Sequence, residues 1–198
     1  MELILEILVQ EKVTDEYNMG RYKELKKIHI ENEKPYIQWI KNELNQYDIK
    51  VQKWGEFNDT SMYYAYFNTN RVYIPIPQCD YSFLVSLHEI GHIVTGNNIL
   101  GHIAEFSAEK WAVSTAKKKY KITNDEFISV GKEYIYECLL EDIIYRLFDY
   151  NQIDKNIQKW IGKNKKDIKQ DAIIYYNEFK PFLSNFHQLK VNKLLKIN

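Results

Sequence analysis

Cysteine is nearly absent: Cys79 and Cys138 are the only two in 198 residues. Two thiols so far apart exclude a disulfide framework and fit a reducing compartment. Proline and glycine are also scarce, at 4 and 7 residues, which argues against a loop-dominated or low-complexity chain. No long apolar run exists either. The opening stretch at 3–9, LILEILV, is broken by Glu6 and lacks both a basic lead-in and a small-residue cleavage signature. It reads as neither a signal peptide nor a membrane span, so the expected location is cytoplasmic, with no membrane partner. GxxxxGK and GxGxxG loops are missing, which argues against nucleotide-driven chemistry.

Net charge is missing too, since 27 basic residues face 27 acidic ones. The balance is uneven, with 11 Lys/Arg against 16 Asp/Glu over 1–112 and 16 against 11 over 113–198. Lysines cluster at Lys117, Lys118, Lys119 and Lys121, and again at Lys163, Lys165, Lys166 and Lys169. Such clusters are usually solvated helix surface, so direct nucleic-acid binding is not the expected role.

What the chain does have is aromatic mass: 16 Tyr, 9 Phe and 4 Trp within a hydrophobic content of 45%. Tyrosine fills a half-wet core well, so this abundance needs no stacked ligand. No repeat or linker divides the chain. It reads as one domain over 1–198, with a core at 1–122 that begins helically and a helical extension at 123–198.

Residues 15–28 and 34–46 carry helical spacing, the second with Tyr36, Ile37, Ile40 and Leu44 on one face and Pro35 in its first turn. Residues 49–54 alternate as a strand does. Residues 62–67 and 72–76 flank Asn68-Thr69-Asn70 as a hairpin, and Pro75 and Pro77 predict that the second strand is at an edge or ends there. Asp80 or Ser82 caps a helix running to about Thr95-Gly96. Further helices are expected from His102 toward Lys119, from the capping-box spacing at 123–126 to about 150 as one or two helices, and over 171–179, ended or bent by Pro181. The fold class is therefore α+β, a short sheet before a mostly helical remainder.

The informative segment is His88-Glu89-Ile90-Gly91-His92. Residues four apart share a helix face, so both imidazoles can grip one ion while Glu89, one step along, meets a water proton. This is the HExxH arrangement, and a chance match in a chain this long is on the order of one in a hundred. Phe83, Leu84, Leu87, Ile90, Ile93 and Val94 supply apolar packing around it. Gly91 lowers helix propensity, which a close backbone approach would explain.

A third protein ligand is needed to leave one tetrahedral position open for water. Thr95 and Asn98 stand where the metzincin HExxHxxGxxH extension needs glycine and histidine, so that arrangement is absent. Glu105 near the start of the next helix is the leading candidate. Glu109, one turn on, either ligates instead or accepts a hydrogen bond from a liganding histidine, and His102 is the remaining alternative.

Together with Glu105-Phe106-Ser107-Ala108-Glu109-Lys110-Trp111-Ala112, similar to an ExxANxFA pattern, the motif resembles the ImmA/IrrE-like metallopeptidases of the HExxH gluzincin type. The resemblance covers mainly 83–112. Glu109 stands where that family usually has Asn, Trp111 where it commonly has Phe, and Val113-Ser114-Thr115 replaces an LLMP-like continuation. The resemblance implies a small zincin-like unit, zinc held by His88, His92 and Glu105, and Glu89 as general base. It also implies a bacterial or phage setting and a DNA-binding repressor as substrate.

The expected activity is zinc-dependent hydrolysis of peptide bonds in a protein substrate. The alternative is a catalytically inactive, zinc-stabilised regulator that binds another protein. Tyr134, Tyr136, Tyr145, His187 and Arg71 are the candidate oxyanion donors, each equally at home as a packing or surface residue. An extended peptide is expected to lie beside 72–76 by strand addition. Cys79 and Cys138 lack a Cys–His arrangement and read as small structural residues.

Overall fold

The computed structural model describes residues 35–55, 63–96, 101–123 and 125–197. The expected helix at 15–28 and the opening run at 3–9 lie outside them. The architecture is α+β: a small three-stranded mixed sheet precedes the main run of helices, and the C-terminal part is helical. The chain divides into two compact units, one taking in 107–128 with the residues before position 101, the other joining 101–106 to 129–198.

In the first unit, α1 (Tyr36–Gln46) turns Tyr36, Ile40 and Leu44 inward, as their spacing predicts. Pro35 sits at the cap rather than inside the first turn, and its carbonyl accepts from Trp39 N–H at 3.0 Å. Three strands follow: β1 (Lys50–Gly55), β2 (Tyr64–Tyr66) and β3 (Arg71–Pro75). Their order is β1-β3-β2, with β3 parallel to β1 and antiparallel to β2.

The hairpin is as expected, but β3 is the central strand. Val72, Tyr73 and Ile74 are buried, and Pro75 ends the strand opposite Gly55, where a missing N–H interrupts no further ladder. Strand addition beside 72–76 is therefore excluded, because neighbours occupy both sides of β3. Among the described residues the open edges belong to β1 and β2.

Helix α2 (Asp80–Thr95) packs on β3 and β2. It is buried at nearly every position from Tyr81 to His92, the apolar Phe83, Leu84, Leu87 and Ile90 together with the polar Ser82, Ser86, His88, Glu89 and His92. Cys79, not Asp80 or Ser82, holds the cap position, and the Ser82 hydroxyl accepts the backbone N–H groups of Gln78 (2.8 Å) and Cys79 (3.1 Å). Ser86 donates to the Pro75 carbonyl at 3.1 Å, pinning the helix to the end of β3. Gly96, at φ 62°, closes the helix in the left-handed conformation that glycine adopts cheaply.

Helix α3 (His102–Tyr120) returns toward α1. Trp39 stacks on Tyr120 at 4.8 Å, and Phe83 meets both rings edge-on. Beneath them Glu43 is buried, with its carboxylate taken by Lys119 Nζ at 2.9 Å and by the Tyr120 hydroxyl. A buried carboxylate held by an ammonium and a phenol is satisfied rather than stranded.

The second unit is built on α4 (Asp125–Tyr145), α5 (Lys155–Ile161), α6 (Lys165–Phe179) and α7 (Asn185–Leu195). Leu139, Ile143 and Ile144 of α4 join Ile157, Ile168, Tyr176, Val191 and Leu195 in one core. Asp154, Asn164 and Ser184 cap α5, α6 and α7 through side-chain acceptors. No helix among the described residues is long and apolar enough to cross a membrane.

Candidate metal centre

Helix α2 presents His88, Glu89 and His92 in its buried stretch, each less than a tenth exposed. Nε2 of His88 and Nε2 of His92 face each other 3.1 Å apart, with the rings nearly perpendicular. Two nitrogens on one tetrahedral zinc, each at 2.0–2.1 Å, stand about 3.3 Å apart, so this separation is close to that of a coordinated pair.

The far side of His88 is also settled by chemistry. Its Nδ1 lies 2.9 Å from Oε2 of Glu109, and both side chains are buried. A carboxylate can only accept, so Nδ1 carries the proton and the lone pair of Nε2 is on the side facing His92. Glu109 thus holds His88 in the tautomer that a metal ligand needs.

Glu105, one turn before Glu109 on α3 and only partly buried, completes a group with His88 and His92. One ligand atom from each of the three lies within 4.8 Å of the others. Two imidazoles and one carboxylate are the donor set that binds zinc with a position left open. The cluster can hold a metal ion. His102, the other candidate, is engaged elsewhere: its Nδ1 lies 2.7 Å from Asp142 Oδ2, and its ring sits 4.7 Å from that of Phe148.

Gly91 shows why this helix tolerates a glycine between its histidines. A Cβ there would fall 2.7 Å from the Ala108 carbonyl oxygen and 3.1 Å from its Cα. Helices α2 and α3 approach at this point with no room for a side chain, which brings the Glu109 turn against His88.

The sequence candidates for an oxyanion donor separate by position. Tyr136 donates to Asp171 at 2.5 Å, His187 Nε2 lies 2.6 Å from the Ile144 carbonyl, and Tyr145 packs against Phe179. Arg71 opens β3 as an exposed residue. Tyr134 instead bonds a member of the candidate cluster: its hydroxyl donates to Glu105 Oε2 at 3.1 Å. The sequence carried no signal that would single out this tyrosine from sixteen.

Neither cysteine takes part in the cluster, and both are free thiols. Burial pushes the Cys138 thiol well above its ordinary range, with the Glu105 and Glu141 carboxylates adding to the effect. A thiol held protonated is a poor nucleophile, in keeping with a structural role.

No protein-family model, curated protein or solved structure matches this chain.

Proposed function

We propose that this chain is a zinc metallopeptidase of the HExxH gluzincin type that hydrolyses peptide bonds in a protein substrate. The observation that carries the reading is the facing pair of Nε2 atoms at 3.1 Å, with Glu109 occupying the opposite nitrogen of His88. A structural core histidine pair needs no such carboxylate to fix which nitrogen is bare. His88, His92 and Glu105 would hold the ion, which supplies Lewis acidity to a water and to the scissile carbonyl.

The chain's own groups supply the proton handling. Glu89 follows His88 directly on α2, where its carboxylate takes one proton from the attacking water. The hydroxyl adds to the carbonyl carbon, and the same carboxyl returns the proton to the amide nitrogen as the C–N bond breaks. Burial of Glu89 and both histidines keeps these groups out of bulk water, which strengthens their interactions with developing charge.

The resemblance to ImmA/IrrE-like peptidases makes a DNA-binding repressor the first substrate class to test. For an extended peptide, the strand surface to test is β2, which among the described residues lies at the sheet edge and packs on α2. Purified protein loaded with zinc should cleave a repressor substrate, and Glu89→Gln should lose that cleavage by at least about 10²-fold while retaining the metal. Full activity in Glu89→Gln would remove Glu89 from the mechanism. Zinc binding with no cleavage by the native chain would favour the non-enzymatic, partner-binding alternative.

A further inference from the structure

Glu105 differs from the two histidines in what holds it. The histidines lie in the buried stretch of α2, whereas Glu105 is one turn from the start of α3, partly exposed, on a stem with three rotatable bonds. A carboxylate so placed has many rotamers, and few of them serve a metal. Helix α4 supplies two restraints that would select among them.

The first restraint acts on the backbone. Asp142 Oδ2 accepts the His102 N–H at 2.8 Å, and the same oxygen meets His102 Nδ1, while Oδ1 takes a bond from Arg146 at 2.5 Å. Asp142 thereby caps the opening turn of α3 from a neighbouring helix. Gly101 makes this possible: at φ 94°, its Cβ position would fall on the Asp142 carboxylate. The second restraint acts on the side chain, where the Tyr134 hydroxyl donates to Glu105 Oε2 at 3.1 Å.

We propose that Tyr134 is a positioning residue for the third metal ligand, fixing the Glu105 carboxylate so that its remaining lone pairs face His88 and His92. This assignment rests on the metal-site reading above and adds to it a residue outside the motif. Tyr134 is 37% exposed, and removing its hydroxyl opens no cavity in the core. The Tyr134 hydroxyl also meets the buried Cys138 thiol, and its route to the metal group is the bond to Glu105. The loss should therefore be seen in affinity and ligand field and not in folding.

Tyr134→Phe is the test, with zinc and cobalt ions as probes. Zinc affinity, measured by competition with a chromophoric chelator, should fall by about 10- to 100-fold, the usual effect of losing a partner of a metal ligand. The visible absorption of the cobalt-substituted protein should change in position or intensity, because the carboxylate no longer meets the ion in one geometry. The thermal midpoint of the metal-free protein should match that of the native chain. Native affinity together with an unchanged cobalt spectrum in Tyr134→Phe would overturn this assignment alone. Failure of the native chain to bind either ion at His88 and His92 would overturn the metal site and this assignment with it.

Discussion

At the scale of single residues, imidazole binds a metal only through a nitrogen lone pair, so the partner on its other nitrogen governs whether it is ready. Glu109 makes that choice for His88. The sequence raised the possibility, since Glu109 lies one helical turn beyond Glu105, but it could not distinguish ligand from supporter. That distinction depends on which nitrogen faces which carboxylate, and residue spacing does not encode it.

A second carboxyl gives a prediction about pH. Burial pushes Glu141 up to about 7, helped by the Asp142 and Glu137 charges and opposed by Arg146 and a hydrogen bond with Tyr175. The folded chain therefore holds this proton more tightly than the unfolded chain does. Its contribution to stability is complete below the ordinary carboxyl value of 4.5 and is lost as pH rises through about 7. Glu141→Gln removes the ionisation. Its stability to denaturant at pH 8 should exceed that of the native chain by up to about 3 kcal/mol, with the difference shrinking toward pH 4. Equal stability at pH 8 would show that Glu141 ionises there without strain.

At the scale of elements, the contact of Gly91 with Ala108 sets how closely α2 and α3 approach. Gly91→Ala should gain about 1 kcal/mol of helix propensity yet lose more to the collision with the Ala108 carbonyl. The expected net result is a destabilisation of about 1–3 kcal/mol, read from chemical denaturation, with weaker zinc binding because the Glu109 turn moves off His88. A Gly91→Ala variant as stable as the native chain would mean that the helices part at no cost.

Much at this scale was legible. The apolar spacing in α1, the alternation in β1, the turn at Asn68-Thr69-Asn70 and the start of α3 near His102 all reflect local physics that a sequence displays. What escaped has identifiable causes. Strand partnership is not local, so nothing in 49–54 announces that β1 runs parallel to β3, and of the two readings Pro75 allowed, an edge or an end, the strand shows the end. Helix α5 spans just seven residues, too few to show a period, although Asp154 at its cap and Gly162 beyond it were signals available in the sequence. Asn164 and Ser184 likewise cap α6 and α7, and the start of α6 over 165–170 was missed because its lysines hide the inward-facing Ile168.

At the scale of the whole molecule, each compact unit has a core of its own. One is organised by Phe83, Leu87, Ile90 and the central strand, the other by Leu139, Ile143, Ile144 and the capped helices after them. In the sequence His88, Glu89 and His92 stand out by their spacing, and Glu109 was already named as either ligand or supporter, whereas the contacts that Glu109, Tyr134 and Asp142 make needed three dimensions to find. If His88, His92 and Glu105 close around one ion, anomalous scattering at the zinc edge from crystals grown with zinc should show it. One dominant peak is expected about 2.0–2.2 Å from both Nε2 atoms and a Glu105 oxygen. A map with no peak there, or with zinc bound only at other residues, would contradict it.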